Sequence, residues 1–547
     1  MTPFPTLVSD RNTPPGHQPH APSDRDRLPG RSRVPGDLLL PVAASLSLIA
    51  SCIVISGKKP LWLDEVFTYL LLNDPSLSHM LQALADQVDA TPPLYYTVGW
   101  LWARVFGGAE LSIRLLSSAA FCVAVFLSWA LLRRAYGVLA AAVGLLTVFG
   151  TSDLLLTQNA EARVYGVLTA LFAGCCLMYQ KTAEEESPSG KWLLLSAVLH
   201  GALLLTHVYG AFYGAALIGA AVLDDLRRRR FRPRVYAAIP AGWLAIAVWL
   251  PGMLNQIDVA RPRSWMTTPG LKDLVRAYNF NIPPLLLLGL VLLGGGMLLA
   301  RRVPPASVLG ARREPERTAL LVLALALLTI PAVSFAYSRI ATPIFNERYF
   351  LPCSLVWAIA LAEMVTLASG PSRGTRGLPV AGIGWAALCA GLLLWPLGYA
   401  VRYRAHQPTT RAEVARLGVP GDLPVLSESS HDFLPGSVYS ARTGLDTYFV
   451  LDWPAALAGA RDATIEFKYM SAIRRNYGLR GIVSAAEFLC AHRRFVVLDD
   501  RVAQWYDLRI RDRPQFSTRV LGEAGEETVV LVERPGDLPQ GTCGGDG

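Results

Sequence analysis

Residues 37–65 read DLLLPVAASLSLIASCIVISGKKPLWLDE. The stretch begins with an apolar run of about 20 residues, which is the length that crosses a bilayer. Two adjacent carboxylates, Asp64 and Glu65, follow this run directly. Acidic residues at a membrane edge are unfavourable unless they are paired or used. We therefore predict a functional role for the pair, although two solvated loop acids would show the same spacing.

The composition extends this membrane pattern to the rest of the chain. Of the 547 residues, 52% are hydrophobic and only 17% are charged, whereas about a quarter of the residues of soluble proteins are charged. The net charge of +9 comes from arginines clustered between apolar runs, so stop-transfer signals explain it better than nucleic acid binding does. We predict an α-helical polytopic membrane protein that binds no nucleic acid.

The apolar runs predict about 11 transmembrane helices. They lie near residues 37–57, 111–132, 137–154, 163–180, 191–207, 209–225, 235–252, 283–300, 318–337, 348–368 and 378–400.

Arginine clusters in the connections predict the orientation of these spans. The clusters are Arg133-Arg134, Arg227 to Arg234, Arg301-Arg302 with Arg312-Arg313, and Arg373 with Arg376. They fall in every second connection, as the positive-inside rule requires. With the N-terminus inside, the segments around Asp64, Glu161 and Arg348 all reach the outer face. The predicted location is the plasma (inner) membrane, with these segments and the C-terminal part extracytoplasmic.

Three regions are predicted along the chain. Residues 1–36 lack an apolar period and are expected to form a disordered cytoplasmic N-terminus. Residues 37–400 form the transmembrane domain, and residues 401–547 form a soluble α/β domain of ordinary domain size. Its elements are strands at Pro424 to Leu426, Phe495 to Leu498 and Thr528 to Val532, with a helix at Ser484 to His492. A disulfide between Cys490 and Cys543 would require an oxidising compartment.

The first outer loop, residues 58–110, is predicted to contain an amphipathic helix that lies flat on the membrane. Asp74 with Pro75 has the pattern of an N-cap followed by proline. Apolar and acidic residues then occupy different faces at helical spacing, namely Leu77, Met80, Leu81, Leu84 and Val88 against Asp86 and Asp89. Thr91-Pro92-Pro93 ends the helix, and aromatics typical of the headgroup layer follow.

Two further segments carry charges at membrane depth. In the first, Glu161-Ala162-Arg163-Val164-Tyr165, the planar guanidinium fork suits a phosphate, while Glu161 orients the arginine or positions an acceptor. The simpler alternative is that Glu161 and Arg163 pair with each other or with lipid headgroups. In the second, Asn346-Glu347-Arg348-Tyr349, the arginine needs an anion at that depth. A lipid-linked phosphate meets that need, and snorkelling toward phospholipid headgroups is the alternative.

Arg114 and His207 are weaker candidates near the same face. Arg114 enters the second predicted span, where it either snorkels or contacts phosphate. His207 at a short outer turn is more often a hydrogen-bonded helix-end residue than a functional one. A metal site built from His207 and a loop carboxylate lacks ligand spacing. No metal site is predicted, and no cofactor is identified with certainty, which leaves a divalent cation open.

Together these segments resemble the C-type glycosyltransferases of the protein O-mannosyltransferase and aminoarabinose transferase group over residues 37–400. The matching segments are Leu63-Asp64-Glu65, Pro92-Pro93-Leu94-Tyr95-Tyr96, Phe106-Gly107-Gly108-Ala109-Glu110 with Arg114-Leu115, Glu161-Ala162-Arg163-Val164-Tyr165 and Glu347-Arg348-Tyr349. Family members often carry a basic or histidine residue where this chain has Thr91. The resemblance covers neither residues 1–36 nor the C-terminal part.

The resemblance implies a sugar donor on a polyprenyl phosphate carrier, transfer at the extracytoplasmic face and inversion at the anomeric carbon. Asp64 would act as the base or hold the acceptor, which is a lipid, a polysaccharide or a protein. The site candidates are Asp64, Glu65 and Glu161 as catalytic residues; Arg163, Arg348, Arg114 and Tyr349 as donor-phosphate ligands; and Pro93, Tyr95, Tyr96, Tyr165 and His207 as lining of the substrate cavity.

Two other classes of protein stay open at this stage. A transporter or lipid flippase is expected to show internal repeats or matching broken helices in two halves. The sequence shows no repeat, and its acids gather at one face instead of the midplane. A non-catalytic envelope assembly protein would use the same scaffold to bind polyprenyl phosphate. Sugar transfer is the property that separates the three classes.

Overall fold

The structure is a computed structural model that describes residues 35–259, 261–263, 266–300, 315–369, 379–460, 462–502, 504–534 and 536. Within residues 1–39 it describes a short 3-10 helix, Pro35–Leu38. The residues from Leu40 onward form one compact unit. Several sequence predictions fall outside the described residues: the disordered segment up to residue 34, Arg301-Arg302, Arg312-Arg313, Arg373, Arg376 and Cys543. Cys490 is described and is disulfide-bonded.

The described part of the chain up to Arg402 is helical. Its α-helices are α1 Leu39–Ser56, α2 Leu63–Asn73, α3 Leu77–Ala85, α4 Leu94–Phe106, α5 Glu110–Ala135, α6 Val138–Thr151, α7 Asp153–Asn159, α8 Tyr165–Glu184, α9 Gly190–Thr206, α10 Gly210–Arg227, α11 Pro233–Trp243, α12 Leu250–Val259, α13 Leu271–Asn279, α14 Pro284–Ala300, α15 Pro315–Ile340, α16 Leu355–Ser369 and α17 Pro379–Arg402. Leu244–Trp249 and Glu347–Ser354 are 3-10 helices.

Each predicted span coincides with a helix, which confirms a mostly helical, polytopic membrane protein. By length and hydropathy, six helical segments of the described residues are able to cross a membrane, or up to eight if each bent pair is one span. The bent pairs are α6 with α7, at 66°, and α13 with α14, at 61°. Other helices are too short for that test, such as α9 with 17 residues. The predicted number of spans is therefore not confirmed.

Small residues let the helices of this bundle approach closely. A Cβ atom at Gly144 of α6 would collide with the backbone carbonyl of Ala358 in α16. One at Gly166 of α8 would collide with the carbonyl of Ser117 in α5. Close backbone contact of this kind is typical of helices that pack inside a bilayer, where van der Waals contact drives association. The contact between α5 and α8 fixes the position of the connection that precedes α8.

The C-terminal part contains a six-stranded sheet, as the predicted α/β class requires. Its strands are β1 Val425–Ser427, β2 Thr447–Leu451, β3 Ile482–Ser484, β4 Arg494–Asp499, β5 Ser517–Ala524 and β6 Glu527–Glu533. The order across the sheet is β3-β2-β1-β4-β6-β5. Strands β1 to β4 are parallel, while β6 runs antiparallel to both β4 and β5. The helices are α18 Arg411–Arg416, α19 Ser430–Val438, α20 Ser440–Thr443, α21 Trp453–Ala458, α22 Ala463–Tyr477, α23 Ala485–Ala491 and α24 Trp505–Arg509.

Helices α19 and α22 join the sheet to the helical part. Phe433 and Met470 are buried in the same hydrophobic core as the helices of the bundle. The Tyr439 hydroxyl accepts a hydrogen bond from the backbone N–H of Leu61 at 2.8 Å. Because Leu61 lies just before α2, these contacts hold the sheet part against the loop that carries Asp64. The predicted domain boundaries at residues 36 and 400 stay predictions.

The helix predicted in the first outer loop begins later than expected and faces protein. Helix α3 starts at Leu77, and Ser76 is its N-cap, accepting from the backbone N–H of His79 at 3.4 Å. Asp74 instead ends α2 and accepts from the N–H of Ser76. Met80, together with Leu84 and Val88, is completely buried in the protein core. The apolar side of α3 therefore covers protein, a role that amphipathic spacing does not distinguish from membrane contact.

Candidate functional site

Asp64 and Glu65 occupy the first turn of α2. Trp62 precedes the helix with extended backbone angles, φ −98° and ψ 171°. Acidic residues are favourable in this turn because a helix N-terminus carries partial positive charge. The helix directs the two side chains to different surroundings: that of Asp64 is 19% exposed, whereas Glu65 is completely buried. The adjacent acids therefore belong to two different clusters.

Two arginines from distant parts of the chain converge on the Asp64 carboxylate. Arg348 donates from Nη1 to Asp64 Oδ2 at 3.0 Å. Arg163 has its Nη2 3.6 Å from the same oxygen and donates from Nη1 to the Asp64 carbonyl at 3.1 Å. The structure thus brings together the acid and the two arginines that the sequence predicted on one face. Arg348 is the more accessible cation, since its side chain is 20% exposed and that of Arg163 is 7% exposed.

Asp89 is a further charged member of this cluster, although sequence spacing marked it only as part of a polar helix face. Its Oδ2 accepts from Arg163 Nη1 at 2.6 Å. Its Oδ1 accepts from the Thr91 backbone N–H at 3.0 Å and from the Thr91 hydroxyl at 2.8 Å. Thr91, where the chain departs from the family that it resembles, thus orients Asp89. The guanidinium of Arg163 is held between two carboxylates.

A cluster of aromatic rings, here called the aromatic wall, surrounds Tyr349, the residue next to Arg348. The ring of Tyr349 is 4.7 Å from that of His207 and 5.0 Å from that of Tyr209, measured between centroids. Tyr165 stacks at 6.5 Å on Tyr349 with 25° between the ring planes. The Nδ1 atom of His207 accepts the backbone N–H of Tyr209 at 3.2 Å, at the end of α9. His207 is therefore a hydrogen-bonded helix-end residue that also contributes to this wall.

The first-loop residues that were predicted to line the substrate cavity lie in or next to the protein core. Pro93 precedes α4, and both Tyr95 and Tyr96 are completely buried. The two tyrosine rings contact each other at 5.2 Å in an edge arrangement. The Tyr96 hydroxyl accepts from Arg163 Nη1 at 3.3 Å. Tyr96 therefore contacts Arg163 directly and Tyr95 packs against Tyr96, while the part of both residues in a substrate cavity stays a prediction.

Glu65, Glu161 and Arg114 form a second, buried cluster with Lys59. Arg114 donates from Nε and Nη2 to the two oxygens of Glu65 at 2.7 and 2.8 Å. The Ala162 backbone N–H donates to Glu65 at 2.9 Å, and Lys59 forms an ion pair with Glu161. Arg114, like Glu65, is completely buried. These paired charges tie the start of α2 to the connection that precedes α8.

The sheet part adds two residues that the sequence analysis did not predict for the site. His431, in the first turn of α19, is exposed and close enough to Asp64 to act on its charge. Tyr469 of α22 packs its ring 5.1 Å from that of Phe67 in α2. Burial raises the pKa of Tyr469, and the nearby charges of Asp89 and Asp64 raise it further. The Tyr469 hydroxyl therefore keeps its proton and is available as a donor.

The Asp64 carboxyl is ionised at neutral pH. Burial disfavours its charged form, but the positive charges of Arg163 and Arg348 more than offset this effect, with a further contribution from His431. The pKa of Asp64 consequently lies below the ordinary value for aspartate. An opposite charge within a few ångströms stabilises a carboxylate in this way. The site therefore offers a fixed, negatively charged acceptor of hydrogen bonds beside an accessible arginine.

An apolar groove of about 500 Å³ runs between α14 and α17. Its lining includes Leu286, Leu290 and Trp385. Asn281, just before α14, donates to Glu347 at 3.4 Å, so the start of α14 lies next to the segment that carries Arg348. Among the described residues, the acids that lie close enough together to share a metal ion are in the sheet part.

Comparison with known proteins agrees with this architecture. Residues 90–254 match the family described as Dolichyl-phosphate-mannose-protein mannosyltransferase. ArnT from Cupriavidus metallidurans, solved with undecaprenyl phosphate bound, matches at 14% identity over 91% of this chain and 98% of its own, with a TM-score of 0.51. Its apo structure gives the same values. AglB from Archaeoglobus fulgidus matches at 10% identity over 84% and 69%, with a TM-score of 0.45. No curated protein sequence matches the chain.

These matches confirm the resemblance that the sequence motifs predicted. The fold is the one that ArnT has, and the matched family segment indicates a glycosyltransferase. Among solved structures, ArnT shares this fold over nearly the whole length of both chains. The matched segment includes Arg163 but not Asp64, Asp89 or Arg348.

Proposed function

We propose that this protein is an inverting glycosyltransferase that moves a sugar from a polyprenyl phosphate carrier to an acceptor in the cell envelope. One observation carries the proposal: the ionised Asp64 carboxylate is held at 3.0 Å by the partly exposed Arg348. A placed carboxylate and a placed arginine are the two groups that transfer from a phosphate leaving group needs. The ArnT structure with the same fold contains a polyprenyl phosphate, which supports this donor class.

The reaction assigns a separate task to each charge. The acceptor hydroxyl or amine gives its proton to Asp64 as its oxygen or nitrogen forms a bond to the anomeric carbon. The bond from that carbon to the phosphate oxygen breaks, and its electron pair stays on the phosphate. Attack from the side opposite the leaving group inverts the configuration. Arg348 stabilises the charge that develops on the phosphate, and it does so most strongly where water is excluded.

Arg163 and the buried cluster have supporting tasks in this proposal. Arg163 is occupied by Asp89 and by the backbone of Asp64, so it fixes the position of Asp64 and adds positive charge to the phosphate site. Glu65 and Arg114 satisfy each other's charges and hold α2 in place. The carrier chain occupies the groove between α14 and α17, whose apolar lining suits hydrocarbon.

The acceptor approaches from the sheet part, and the site faces the extracytoplasmic side. His431 and Tyr469 supply polar groups on that side of Asp64. Arg134 pairs with Glu184 at the end of α8 opposite to Arg163. Arg134 is also in the last turn of α5, a candidate span of 26 residues, or about 39 Å at 1.5 Å per residue, which is enough to cross the bilayer core. Basic residues at that far end support the predicted orientation.

The decisive test is sugar transfer by the purified protein. The protein is reconstituted in nanodiscs with a radiolabelled polyprenyl-phosphate sugar and with lipid, polysaccharide or protein fractions of the envelope as acceptors. We expect label to leave the donor only when a suitable acceptor is present. Mass spectrometry of envelopes with and without the protein then identifies the sugar and the acceptor. If no fraction accepts label while the donor still binds, the enzyme is excluded in favour of an assembly protein.

Replacing Arg348 is expected to weaken use of the donor. A hydrogen bond to a charged group contributes about 1.5–3 kcal/mol, so Arg348→Ala lowers kcat/KM for the donor by about 10- to 100-fold. The kcat/KM of Arg348→Lys should lie between those of the wild type and Arg348→Ala, because lysine keeps the positive charge but lacks the planar guanidinium. Arg276→Ala is the matched control, since its side chain is 65% exposed and lies 3.6 Å from Glu347. An equal fall in kcat/KM in Arg348→Ala and Arg276→Ala would contradict the assignment of Arg348 to the donor phosphate.

Transfer is expected to persist on acidification further than an ordinary aspartate base allows. The base form of Asp64 is present above its folded-state pKa, which Arg163 and Arg348 hold below the usual value of about 3.9 despite the opposing effect of burial. The acid limb of the kcat/KM profile therefore lies below that value. His431→Gln moves this limb to higher pH by removing a positive charge near Asp64. If kcat/KM instead fell with the pKa that is usual for histidine, the base would be a residue other than Asp64.

A further inference from the structure

The sheet of the C-terminal part has a topological switch point between β1 and β4. The chain passes from β1 to β2 and β3 on one side, and β4 then lies on the other side of β1. The connections that leave these two strands therefore diverge, which opens a crevice at the carboxyl ends of the strands. Ligands of open parallel sheets bind in such crevices. No element of the proposed transfer reaction uses this one.

Three carboxylates meet in this crevice. Glu428 follows β1 directly, and Asp499 is the last residue of β4; the residues before them, Ser427 and Leu498, are partners in the parallel ladder. Asp507 reaches the same place from α24. Oxygen atoms of the three side chains all lie within 4.8 Å of one another. Glu428 is 4% exposed and Asp499 is 1% exposed, so two of these acidic groups are brought together away from water.

One carboxylate oxygen of this cluster lacks a hydrogen-bond partner among the described residues. The Tyr506 backbone N–H donates to Glu428 Oε1 at 2.5 Å. The other oxygen, Oε2, is buried and has no hydrogen-bond partner among the described residues. Arg511 compensates the other two acids, with Nη2 2.8 Å from Asp499 and Nη1 2.5 Å from Asp507. One arginine therefore faces three carboxyl groups, so full ionisation of the three would leave two negative charges uncompensated.

We propose that Glu428, Asp499 and Asp507 bind a hard divalent cation, Mg²⁺ or Ca²⁺. All the offered ligands are carboxylate oxygens, which these cations prefer, whereas softer metals select nitrogen or sulfur. A charge of +2 would equal the negative charge that remains when all three groups are ionised. It also gives the buried Oε2 atom of Glu428 the partner that it lacks, and a buried carboxylate without a partner is strongly destabilising. The side chain of Arg511 is 43% exposed, so it can turn aside at the mouth of the crevice.

The cation would link the sheet to the proposed transfer site. Glu428 lies two residues before α19, which begins at Ser430 and carries His431 near Asp64. A cation that fixes Glu428 therefore fixes the turn from β1 into α19. Binding at this position stabilises the native state by mass action, because the unfolded chain does not assemble the three ligands. This site goes beyond the proposed transfer reaction and does not depend on it.

The test uses the full chain, purified in nanodiscs and stripped with a chelator. We expect Mg²⁺ or Ca²⁺ to raise the Tm in a saturable way, and Tb³⁺ to give luminescence sensitised by the neighbouring Trp505 and Tyr506. Glu428→Gln is isosteric and removes a buried charge, so it is expected to fold and to lose both responses. Asp507→Asn is a second variant with the same expectation. Asp422→Asn is the matched control, because Asp422 is exposed near the amino end of β1, and it keeps both responses.

Several outcomes would overturn the cation site. The first is a wild-type protein whose Tm is unchanged by both cations and which does not sensitise Tb³⁺. The second is a response that persists in both Glu428→Gln and Asp507→Asn. A response that is lost in Asp64→Asn but kept in Glu428→Gln would assign the cation to the transfer site instead. None of these readouts requires sugar transfer, so the failure of one proposal is distinguishable from the failure of the other.

Discussion

Asp64→Asn is expected to abolish sugar transfer while the protein still folds and binds its donor. The substitution keeps the size of the side chain and one oxygen for Arg348, but it removes the negative charge that accepts the acceptor's proton. A positioned acid or base contributes about 10²- to 10⁴-fold to a rate. We therefore expect kcat to fall at least about 100-fold. Donor KM should change little, because the phosphate contacts are assigned to Arg348.

Asp86→Asn is the matched control for this substitution. Asp86 belongs to the same outer loop, but its side chain is 40% exposed and pairs with Arg475 at 3.0 Å. Exposed ion pairs contribute little to stability, so this variant should retain transfer. Loss of transfer in Asp64→Asn alone, with donor binding and Tm retained, supports the enzyme over a flippase or an assembly protein. Transfer at the wild-type rate in Asp64→Asn would remove Asp64 from the role of base.

The helical fold was predictable because an apolar run of bilayer length has few alternatives. The number of spans was not, because composition does not reveal where a helix bends. Ser152 separates α6 from α7 at a 66° bend, and apolar residues continue through it. In the sheet part, β1, β4 and β6 were predicted as continuous apolar runs. β1 is buried throughout, whereas β3 is mostly only partly buried and β5 is largely exposed, so neither of the latter two carries that signal.

The core of the candidate site was also predictable, since a charge near a membrane requires a partner. Asp64, Arg163 and Arg348 come from three separate segments, and their common predicted side of the bilayer was enough to expect them together. Asp89 was not recognised because a polar helix face and a buried ion pair have the same sequence spacing. His431 and Tyr469 reach the site only through the packing of α19 and α22 on α2, which no local pattern encodes.

Breaking the buried pair between Glu65 and Arg114 is expected to destabilise the fold severely. Both residues are completely buried, and two hydrogen bonds of 2.7 and 2.8 Å join them. Removing one partner leaves the other charge buried without compensation, which costs about 3–5 kcal/mol. We therefore expect Glu65→Gln and Arg114→Met each to lower the free energy of unfolding by that amount. Unfolding in mixed micelles, followed by circular dichroism, measures the change.

A double-mutant cycle isolates the interaction from the separate effects of each substitution. The double variant should lose less stability than the sum of the two single variants, because it leaves no unpaired charge. Glu363→Gln is the matched control: Glu363 also forms a two-bond pair, with Arg317, but that arginine's side chain is 17% exposed. Glu363→Gln should lower the free energy of unfolding by less than Glu65→Gln does, since water partly solvates the arginine that is left unpaired.

The same variants decide between two roles for Glu65. Sequence analysis predicted that Glu65 takes part in catalysis, whereas its complete burial beside Arg114 assigns it to holding α2. If the structural role is correct, total transfer by Glu65→Gln recovers toward wild type with added donor, because donor binding favours the native state, and transfer per folded molecule stays near the wild-type value. If Glu65→Gln instead had the wild-type Tm but showed no transfer, Glu65 would be a catalytic residue.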